Sequence, residues 1–582
     1  NLSKLEWLLV NSKNTLGTTE PVFSLLNQRH LFRQFSRVIS GAVNETKGMG
    51  YLADIIPETE SLLKGILGQD NNVPITQLLS VIKGNLALAD VQLGLAQADF
   101  TAQETREFIG YAPALIQKMF ASSIAILAKT RETTTASRGG LALIPELTGI
   151  YGRRTYLVVL QNNMELRPTG GFIGSFAVVT LENGTLKDFA VQDVYSADGS
   201  LKGHIDPPEA IKTHLGQEHW YMRDSNWDPD FSVTGERLAW FLEKEIDISV
   251  DGVIALDLEF VQNLLKATGP IKLTDFDLTI TDANLFSQAH AVIEGDFFPG
   301  STQKKDFLGA LARVLIEKIQ SDKNAANLSL LGWLGKSFAE KHALLYLVNP
   351  AAQKIADLYG WNGVQTGLPK CVSCISDYLM VVDANLGVNK VNYFITRSIK
   401  DQVTLEENGT VRHDLVINYT NDSPQEENKT SGTYKNYWRV FVPSANELVG
   451  AEVGGSPLVM EQGSVASISS VLSTSEKAGL QAFAGFIEVG PQEKKELHLK
   501  FERAEAPLLP SLKYDLMVQK QSGTTGDDFQ LELKTPPAWQ ARTNNIDRNV
   551  AGITSLAQSH TVSYNTILVT DKHLTFDLNK NL

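Results

Sequence analysis

The most chemically suggestive stretch of the sequence is a short run of arginine and glycine that follows an apolar strand. Residues 156–160 have the composition of a buried strand, and after a polar run the chain reaches Arg167, Gly170 and Gly171. Backbone N–H groups in a glycine turn, together with one guanidinium, can bind an anion. The alternative is that Arg167 pairs with Glu165, or with an aspartate of the acidic loop described below, and fixes the shape of its own loop. The residues alone leave both interpretations open.

This run does not match the two common phosphate-binding motifs. The glycines lead into a strand and lack the G-x-G-x-x-G spacing of a dinucleotide fingerprint, and no Gly-Lys-Ser/Thr follows them. The sequence also lacks G-x-S-x-G and H-E-x-x-H, and its ten histidines are scattered. We therefore assign no catalytic residue.

A second candidate site is the acidic loop that begins at Arg223. Oxygen ligands stand at alternate positions, as in the opening of a calcium loop: Asp224, Asn226, Asp228 and Asp230. The position that is normally glycine is Pro229, and the position that is normally glutamate is Gly235. The segment is thus either a divalent-cation site or a turn whose side chains bond local N–H groups and cap the next helix.

The two cysteines, Cys371 and Cys374, are separated by two residues and lead into a predicted strand. Four ligands are needed for a structural zinc site, and redox motifs normally open a helix. We predict a small structural disulfide, with reduced thiols and redox chemistry as the alternatives. A disulfide would place the chain in an oxidising or extracellular compartment.

Composition limits the partners of this chain. With 582 residues and a formal net charge of −14, it lacks the basic surface that nucleic acid or anionic lipid requires. No continuous run of apolar residues approaches the length of a membrane span, which takes about 20 residues. The chain begins with Asn1, so we expect membrane contact only through a removed N-terminal anchor or signal.

The periodicity of apolar residues predicts a multidomain α+β protein. Spacings of three and four residues predict a helical bundle or stalk over 1–148. Strands alternate with helices over 149–390, which predicts a mixed α/β domain, and residues 391–582 show short alternating runs typical of a β-sandwich. Within the middle domain, Asn183-Gly184 predicts a tight hairpin.

Four segments carry a family resemblance: YLVVLQNNMELRPTGGFIGSF (156–176), RDSNWDPDF (223–231), DGVIALDLEFVQNLLKATGPI (251–271) and NLGVNKVNYFITRSI (385–399). They resemble a bacterial domain of unknown function found in envelope proteins. That family in turn is similar to the LytR–CpsA–Psr enzymes, which transfer lipid-pyrophosphate-linked glycopolymers onto the cell wall. The similarity implies a LytR–CpsA–Psr-like α/β domain, a phosphate site at Arg167 and Asn226, and Mg²⁺ shared with a pyrophosphate ligand.

The sequence departs from the transferase pattern in two places. Those enzymes carry a pyrophosphate-binding arginine after the third strand, whereas residues 192–198 contain none. The helix that would contribute arginines begins instead with Lys304 and Lys305. Pyrophosphate recognition favours the bidentate guanidinium, and lysine is only a point charge. The resemblance therefore predicts the fold better than it predicts the activity.

These observations favour an extracytoplasmic, cell-surface protein that acts by binding or assembly. We expect it to recognise an envelope glycan or a lipid-linked sugar, or to self-associate as a surface-layer or filament subunit. The alternative is an active glycopolymer transferase that uses Mg²⁺; otherwise no cofactor is expected beyond Mg²⁺ or Ca²⁺. The hypothetical ligand-binding face comprises Arg167, Gly170, Gly171, Arg223, Asp224, Asn226, Lys304 and Lys305.

Overall fold

The computed structural model describes residues 2–70, 72–294, 303–322, 327–425, 432–458, 468–472, 479–505, 508–543, 554–555 and 560–580. The chain divides into two compact units. The first comprises Asn1–Arg154, Thr180–Asp188 and Lys318–Leu331, and the second comprises Thr155–Val179, Phe189–Glu317 and Gly332–Leu582.

Helices dominate the first unit, as the periodicity predicts. They are α1 (Leu2–Thr18), α2 (Glu20–Leu25), α3 (Arg29–Ile66), α4 (Ile75–Thr101), α5 (Gln103–Gly110) and α6 (Ala114–Leu147). The buried residues of α4 alternate at spacings of three and four, the pattern of a coiled-coil seam: Leu79, Ile82, Leu86, Ala89, Leu93, Ala96 and Phe100. Glycines on α3 allow close approach, because a Cβ on Gly41 would lie 2.4 Å from the ring of Phe100.

One described helix, α4, is long and apolar enough to cross a membrane by length and composition, with a mean hydropathy of 1.3 over its best window. Its seam is buried within the first unit, so one side of the helix serves packing. Its exposed apolar residues follow a second stripe: Val81, Leu88, Val91 and Leu95.

A mixed sheet forms the core of the α/β part. Its strands are β1 (Arg154–Asn162), β2 (Phe172–Glu182), β3 (Thr185–Asp193), β4 (Gly252–Leu256) and β7 (Ala343–Leu347), and β5 (Ile271–Leu273) and β6 (Leu278–Ile280) form a separate ribbon. The order across the sheet is β3-β2-β1-β4-β7. β1 and β4 run parallel, and β7 is antiparallel to β4. At the predicted hairpin, Asn183 and Gly184 have φ values of 53° and 83°, the left-handed conformation that this dipeptide favours.

The helices of this part pack around the sheet or connect its strands: α7 (Val194–Asp198), α8 (Glu209–Leu215), α9 (Phe231–Ile246), α10 (Leu258–Thr268), α11 (Leu285–Glu294), α12 (Gln303–Ser321), α13 (Leu328–Ala339) and α14 (Pro350–Leu358). The sequence specifies the ends of α10 clearly. The Asp257 carboxylate accepts the N–H of Phe260 at 3.0 Å, and Gly269 ends the helix with a positive φ of 77°.

The C-terminal part contains two sheets. Their strands are β8 (Cys374–Asn385), β9 (Ile395–Leu405), β10 (Thr410–Asn421), β11 (Tyr434–Pro443), β12 (Glu447–Val453), β13 (Ser456–Pro457), β14 (Ile468–Leu472), β15 (Leu480–Val489), β16 (Lys494–Ala504), β17 (Ser511–Gln519), β18 (Asp527–Lys534), β19 (Trp539–Thr543), β20 (Thr554–Ser555), β21 (Thr561–Leu568) and β22 (Lys572–Lys580). One sheet has the order β13-β12-β16-β10-β9-β18-β21-β20 and the other β14-β15-β11-β8-β17-β22-β19. The sheets share one core, in which Val403 and Leu415 of the first pack with Trp438 and Leu516 of the second.

This arrangement corrects the predicted boundary at residue 391. β8 precedes that boundary, yet it pairs in parallel with β17 and antiparallel with β11, so it is an inner strand of a C-terminal sheet. The predicted division into 149–390 and 391–582 also does not match the compact units, because the second unit includes most of both ranges. Backbone hydrogen bonds link the two ranges within the second unit, as between Asn392 and Met164.

Charged residues are buried inside the C-terminal sheets. His413 lies between two carboxylates, with Nε2 3.0 Å from Asp377 and Nδ1 3.0 Å from Asp401. Arg503 and Tyr514 also donate to Asp377, at 3.0 and 2.6 Å. Burial alone would lower the pKa of His413, but Asp401 and Asp377 outweigh it and raise that pKa to about 9. The ring is therefore held as a cation at neutral pH.

Candidate functional site

The loop that follows β1, residues 163–171, is buried along its whole length. The N–H of Gly170 donates to the carbonyl of Arg167 at 3.0 Å, and the N–H of Phe172 donates to the carbonyl of Glu165 at 2.9 Å. Gly170 has a φ of 140°, and a Cβ there would lie 1.9 Å from the side-chain oxygen of Gln161. A Cβ on Gly171 would lie 2.3 Å from the backbone of Asn162. The two glycines are therefore required by close packing.

Arg167 is enclosed by partners, with only 3% of its surface exposed. Its Nη2 lies 3.0 Å from Glu165 and 3.5 Å from Asp224, and its Nη1 donates to the carbonyl of Asn385. Burial lowers the pKa of Arg167, and the charge of Asp224 opposes that shift. The structure thus agrees with the alternative from the sequence, in which Arg167 pairs with Glu165 and an aspartate of the acidic loop. The anion-binding interpretation is not supported, because the guanidinium is occupied.

Glu165 has a second cationic partner, Lys390, which sequence reasoning missed. The Lys390 ammonium contacts the Glu165 carboxylate and lies 5.2 Å from the centre of the Phe172 ring. Burial lowers the pKa of Lys390 to about 8. Arg167, Glu165 and Lys390 together form a buried ion group, which ties the loop after β1 to the segment after β8.

Backbone hydrogen bonds reinforce this link between the α/β sheet and the C-terminal sheets. The N–H of Asn385 donates to the carbonyl of Leu166 at 2.9 Å, and the N–H of Asn392 donates to the carbonyl of Met164 at 3.1 Å. The side chain of Asn163 donates to the carbonyl of Gly523 at 3.0 Å. The loop 163–171, which contains Arg167, Gly170 and Gly171, therefore connects the α/β sheet to the C-terminal sheets within the second unit. We call this connection the joint.

The acidic loop is also built from local contacts. Arg223 lies 2.7 Å from Asp198 and 3.4 Å from Asp224. Asn226 donates to the carbonyl of Gly171 at 2.8 Å. Asp230 accepts the N–H of Ser232 at 2.9 Å, so it caps α9 as the turn alternative predicts.

These residues do not fit a divalent cation. The Asp228 carboxylate accepts the N–H of Asp230 at 2.9 Å, so the side chains turn toward neighbouring backbone groups. Within the described ranges, no group of three or more His, Cys, Asp or Glu is placed to hold a metal ion. The Mg²⁺ or Ca²⁺ site predicted at Asp224, Asn226, Asp228 and Asp230 is not formed by these described side chains. The side chains of Lys304 and Lys305, at the start of α12, lie outside the described residues.

Near Arg223, the chain buries more carboxylates than cations. Asp198 and Glu245 are 3% and 5% exposed. Burial, and then the neighbouring Asp198, raises the pKa of Glu245 to about 8; burial also raises the pKa of Asp198 to about 6. Glu245 is consequently protonated at neutral pH.

Cys371 and Cys374 form a disulfide, and Cys374 is the first residue of β8. The hydroxyl of the nearby Ser376 donates to the carbonyl of Pro369 at 2.7 Å. The pair therefore closes a small loop at the start of an inner strand, and no helix begins there.

The open site of the second unit is a cavity of about 450 Å³ beside the joint. The residues that follow β1 line one side, and Glu259, in the first turn of α10 after β4, lines another. The remaining lining residues come from α11, from β8, from the segment before and within β9, from the start of β11 and from the turn before β18. The cavity thus lies at the carboxyl ends of the parallel strands β1 and β4, where open α/β sheets bind their ligands.

The polar lining of the cavity falls into paired and unpaired groups. Arg397 donates to Asp527 from Nε and Nη2, at 2.9 and 2.7 Å, and to Asp383 from Nη1 at 2.7 Å. In contrast, the Tyr434 hydroxyl and the Asn163 side-chain oxygen are buried and make no hydrogen bond of ordinary geometry among the residues that the structure describes. Burial, and then the nearby charge of Asp383, raises the pKa of Tyr434. Burial raises the pKa of Glu259. Such a lining can hold a neutral polar ligand.

The sequence analysis did not predict this cavity, although two segments with recognisable sequence patterns contribute residues to its lining. The segment 385–399 was noted for its family resemblance and contains Asn392, Tyr393 and Arg397. The turn at 523–527, which contains two glycines, has only the pattern of a boundary between strands. Neither pattern alone indicates a site, because the lining is assembled from residues that lie far apart in the chain.

Residues 151–290 match the family described as a protein of unknown function (DUF4012). The matched range includes β1 to β4 and the acidic loop, and it makes up about a quarter of the chain. This part of the chain is therefore similar to the DUF4012 family. No curated protein matches the chain.

Solved structures resemble the chain only weakly. The M1 zinc metallopeptidase from Deinococcus radiodurans has 8% identity and a TM-score of 0.19, over 32% of this chain and 42% of that chain. The Lin1025 protein from Listeria innocua has 13% identity and a TM-score of 0.20, over 36% of this chain and 79% of that chain. At these scores the similarities carry no argument about fold or activity.

Proposed function

We propose that this chain is an extracytoplasmic, cell-surface protein of a bacterium that acts by binding or assembly. Its ligand is an envelope glycan or a lipid-linked sugar. The observation that supports binding most directly is the cavity at the carboxyl ends of β1 and β4. The Cys371–Cys374 disulfide supports an oxidising compartment, where such bonds persist.

A binding role is favoured over glycopolymer transfer. We take the α/β sheet to be LytR–CpsA–Psr-like in fold, as the sequence resemblance implies. Transfer from a pyrophosphate carrier requires cationic groups that are free to hold the phosphates. Arg167 instead has two buried carboxylates and a carbonyl as partners. That occupation of the one arginine expected at the site supports a chain that kept the fold and lost the transferase chemistry.

Cosedimentation with cell-wall material tests this proposal. The purified full chain is mixed with an insoluble bacterial wall preparation and with the same preparation stripped of its glycopolymers. We expect the chain to pellet with the first and to remain in solution with the second. Equal behaviour in both mixtures, together with a cytosolic location in fractionated cells, would refute the proposal.

Assembly through the helical unit is the second candidate function. Leu88 and Leu95 belong to the exposed stripe on α4, and their exposed fractions are 45% and 49%. Exposed apolar stripes on helices often mark contact surfaces. In sedimentation velocity, the double change Leu88→Glu and Leu95→Glu should convert oligomers to monomers. Lys272→Glu, at the exposed middle residue of β5, should not. A wild-type chain that stays monomeric at high concentration would exclude this candidate.

A further inference from the structure

We propose that the cavity beside Asn163 and Tyr434 binds an uncharged, hydroxyl-rich ring, that is, a neutral sugar residue, and excludes phosphate and pyrophosphate. The inference rests on the proposed function in one respect, since it names the chemical part of an envelope glycan or lipid-linked sugar that the site takes. The cavity volume of about 450 Å³ lies within the range of pockets that hold small organic ligands, about 300–1,000 Å³.

The charges around the cavity disfavour an anion. Three carboxylates line it, Glu259, Asp383 and Asp527, and they are accompanied by a single guanidinium, Arg397. The guanidinium donates from Nε and Nη2 to Asp527 and from Nη1 to Asp383. It therefore has no free pair of N–H donors for a bidentate contact with phosphate. Even with Glu259 protonated, two carboxylates face one cation. A phosphate group would therefore enter a negative, partly buried site without a partner.

The carboxylates are also too well satisfied to need a cationic ligand. Asp383 accepts hydrogen bonds from Tyr419 and Asn436, both at 2.9 Å, in addition to its contact with Arg397. Asp527 receives two bonds from Arg397. Asp383 and Asp527 are therefore held in place by protein partners, and the two buried lining atoms that make no hydrogen bond within the described residues, on Tyr434 and Asn163, are uncharged.

Those uncharged groups are complementary to hydroxyls. The Tyr434 hydroxyl can donate and accept, whereas the Asn163 side-chain oxygen can only accept, and both atoms are unpartnered within the described part of the chain. A sugar hydroxyl both donates and accepts, so a ring that carries several of them can satisfy both atoms. Phosphate oxygens at neutral pH mainly accept, and they would leave the Asn163 oxygen unpaired.

The cavity also offers an apolar surface to the carbon side of a sugar ring. Its lining includes Phe286 and Tyr393 together with Met164 and Ile395. Tyr393 is 45% exposed, which places an aromatic ring at the accessible side of the cavity. Aromatic rings that are apolar on the face and polar at the edge suit amphipathic ligands. The lining therefore combines a hydrophobic surface with neutral hydrogen-bonding groups.

Ligand-observed NMR on the full chain tests the proposal. The probes are four neutral disaccharides (maltose, lactose, mannobiose and chitobiose), inorganic pyrophosphate and glucose 1-phosphate. We expect at least one disaccharide to bind and the two anions not to bind. Tyr434→Phe should weaken the disaccharide about five- to tenfold, the effect of one lost neutral hydrogen bond. Thr525→Trp, on the exposed rim, should abolish binding by filling the entrance.

Two controls separate a site effect from loss of folding. Tyr514→Phe removes a hydroxyl that is bound to Asp377 away from the cavity, and Thr133→Trp adds the same bulk to an exposed helix position. Both should leave disaccharide binding unchanged. Binding of pyrophosphate in preference to sugars, failure of every disaccharide, or binding unaffected by both cavity variants would overturn the inference. Wall cosedimentation that persists in the cavity variants would overturn this inference alone and leave the proposed function standing.

Discussion

The two sides of the loop after β1 differ in how their polar groups are used. On one side, Arg167 is 3% exposed and is bound by Glu165 and Asp224. On the other side, four residues earlier in the chain, the Asn163 oxygen lies beside a cavity without a partner within the described residues. The Arg167 side, which we call the closed side, is filled by protein partners. The Asn163 side, which we call the open side, faces the cavity. A conspicuous arginine–glycine motif can thus specify a structural joint, while the binding site forms next to it from ordinary polar residues.

The difference between the two sides predicts different effects of mutations. Changes on the closed side should alter stability and leave binding affinity of the folded protein intact. Changes on the open side should alter affinity and leave stability nearly intact.

Arg167→Ala should have the largest effect. It leaves Glu165 and Asp224 as buried carboxylates with one cation fewer, and breaking a buried ion pair typically costs about 3–5 kcal/mol. We expect the free energy of unfolding of the second unit to fall by that amount in urea denaturation. Hydrogen exchange in peptides covering 163–171 and 385–392 should rise, because the joint links these segments.

The control for this change is Arg412→Ala. Arg412 pairs with Glu406 and Glu502 on an exposed part of β10, and exposed pairs contribute little. It should leave the unfolding curve unchanged. If Arg167→Ala left stability intact but removed binding of pyrophosphate, the closed side would be an anion site after all.

The buried His413 should make stability depend on pH. Its pKa is raised from 6.5 to about 9, because Asp401 and Asp377 outweigh the effect of burial. A raised histidine pKa stabilises the fold fully below pH 6.5, and this contribution disappears as the pH rises through 9. The difference corresponds to about 3 kcal/mol.

Hydrogen exchange in peptides from β10, measured in urea from pH 6 to pH 10, reports this loss of stability. His413→Asn should be less stable than wild type at pH 6 and should show a flatter dependence on pH. The control is His498→Asn, since His498 pairs with Asp414 on the partly exposed surface of the same sheet. Parallel pH profiles for His413→Asn and wild type would exclude the buried cation.

Glu245→Gln should raise the stability of the protein, by less than Arg167→Ala and His413→Asn lower it. Burial and Asp198 raise the pKa of Glu245 to about 8, so the folded chain keeps a proton that the unfolded chain releases above about pH 4.5. Wild-type stability therefore falls as the pH rises from 4.5 through 8. Glutamine stays neutral, and it should stabilise the protein at pH 9 by roughly 1–2 kcal/mol while changing little at pH 5.

Thermal unfolding at the two pH values measures this gain. Glu243→Gln is the matched control, because Glu243 lies on the same helix with a side chain that is 48% exposed. It should shift neither melting temperature. A Glu245→Gln protein that is less stable than wild type at pH 9 would show that the carboxyl is ionised and bound in the fold.

Local elements could be predicted from the sequence because their signals are local. α10 has Asp257 as its N-cap and Gly269 at its end, and the β2–β3 hairpin has Asn183-Gly184 at its turn. The helical nature of the first unit also follows from apolar spacing. Each of these features depends on residues within one helix or one turn.

The joint and the cavity could not be predicted, because they depend on pairings between distant residues. β8 reads as an apolar strand that suits either an α/β sheet or a sandwich, and only its pairing with β17 decides between them. Similarly, the partners of Arg167 include Asp224 and the carbonyl of Asn385, far away in the chain. No spacing of residue types indicates that Asn163 and Tyr434 line one cavity.

Tyr434→Phe should change stability least, and it tests the open side directly. The Tyr434 hydroxyl is buried and makes no hydrogen bond of ordinary geometry within the described residues, so its removal should not lower the free energy of unfolding by more than about 0.5 kcal/mol. Tyr514→Phe makes the same chemical change in the same pair of sheets, but it removes a hydroxyl 2.6 Å from the Asp377 carboxylate. That change should cost about 1.5–3 kcal/mol, the contribution of a hydrogen bond to a charged group. Urea denaturation of the two variants measures the contrast. Equal losses would mean that the Tyr434 hydroxyl is already satisfied inside the protein, and the cavity would then lack one of the two groups on which sugar binding depends.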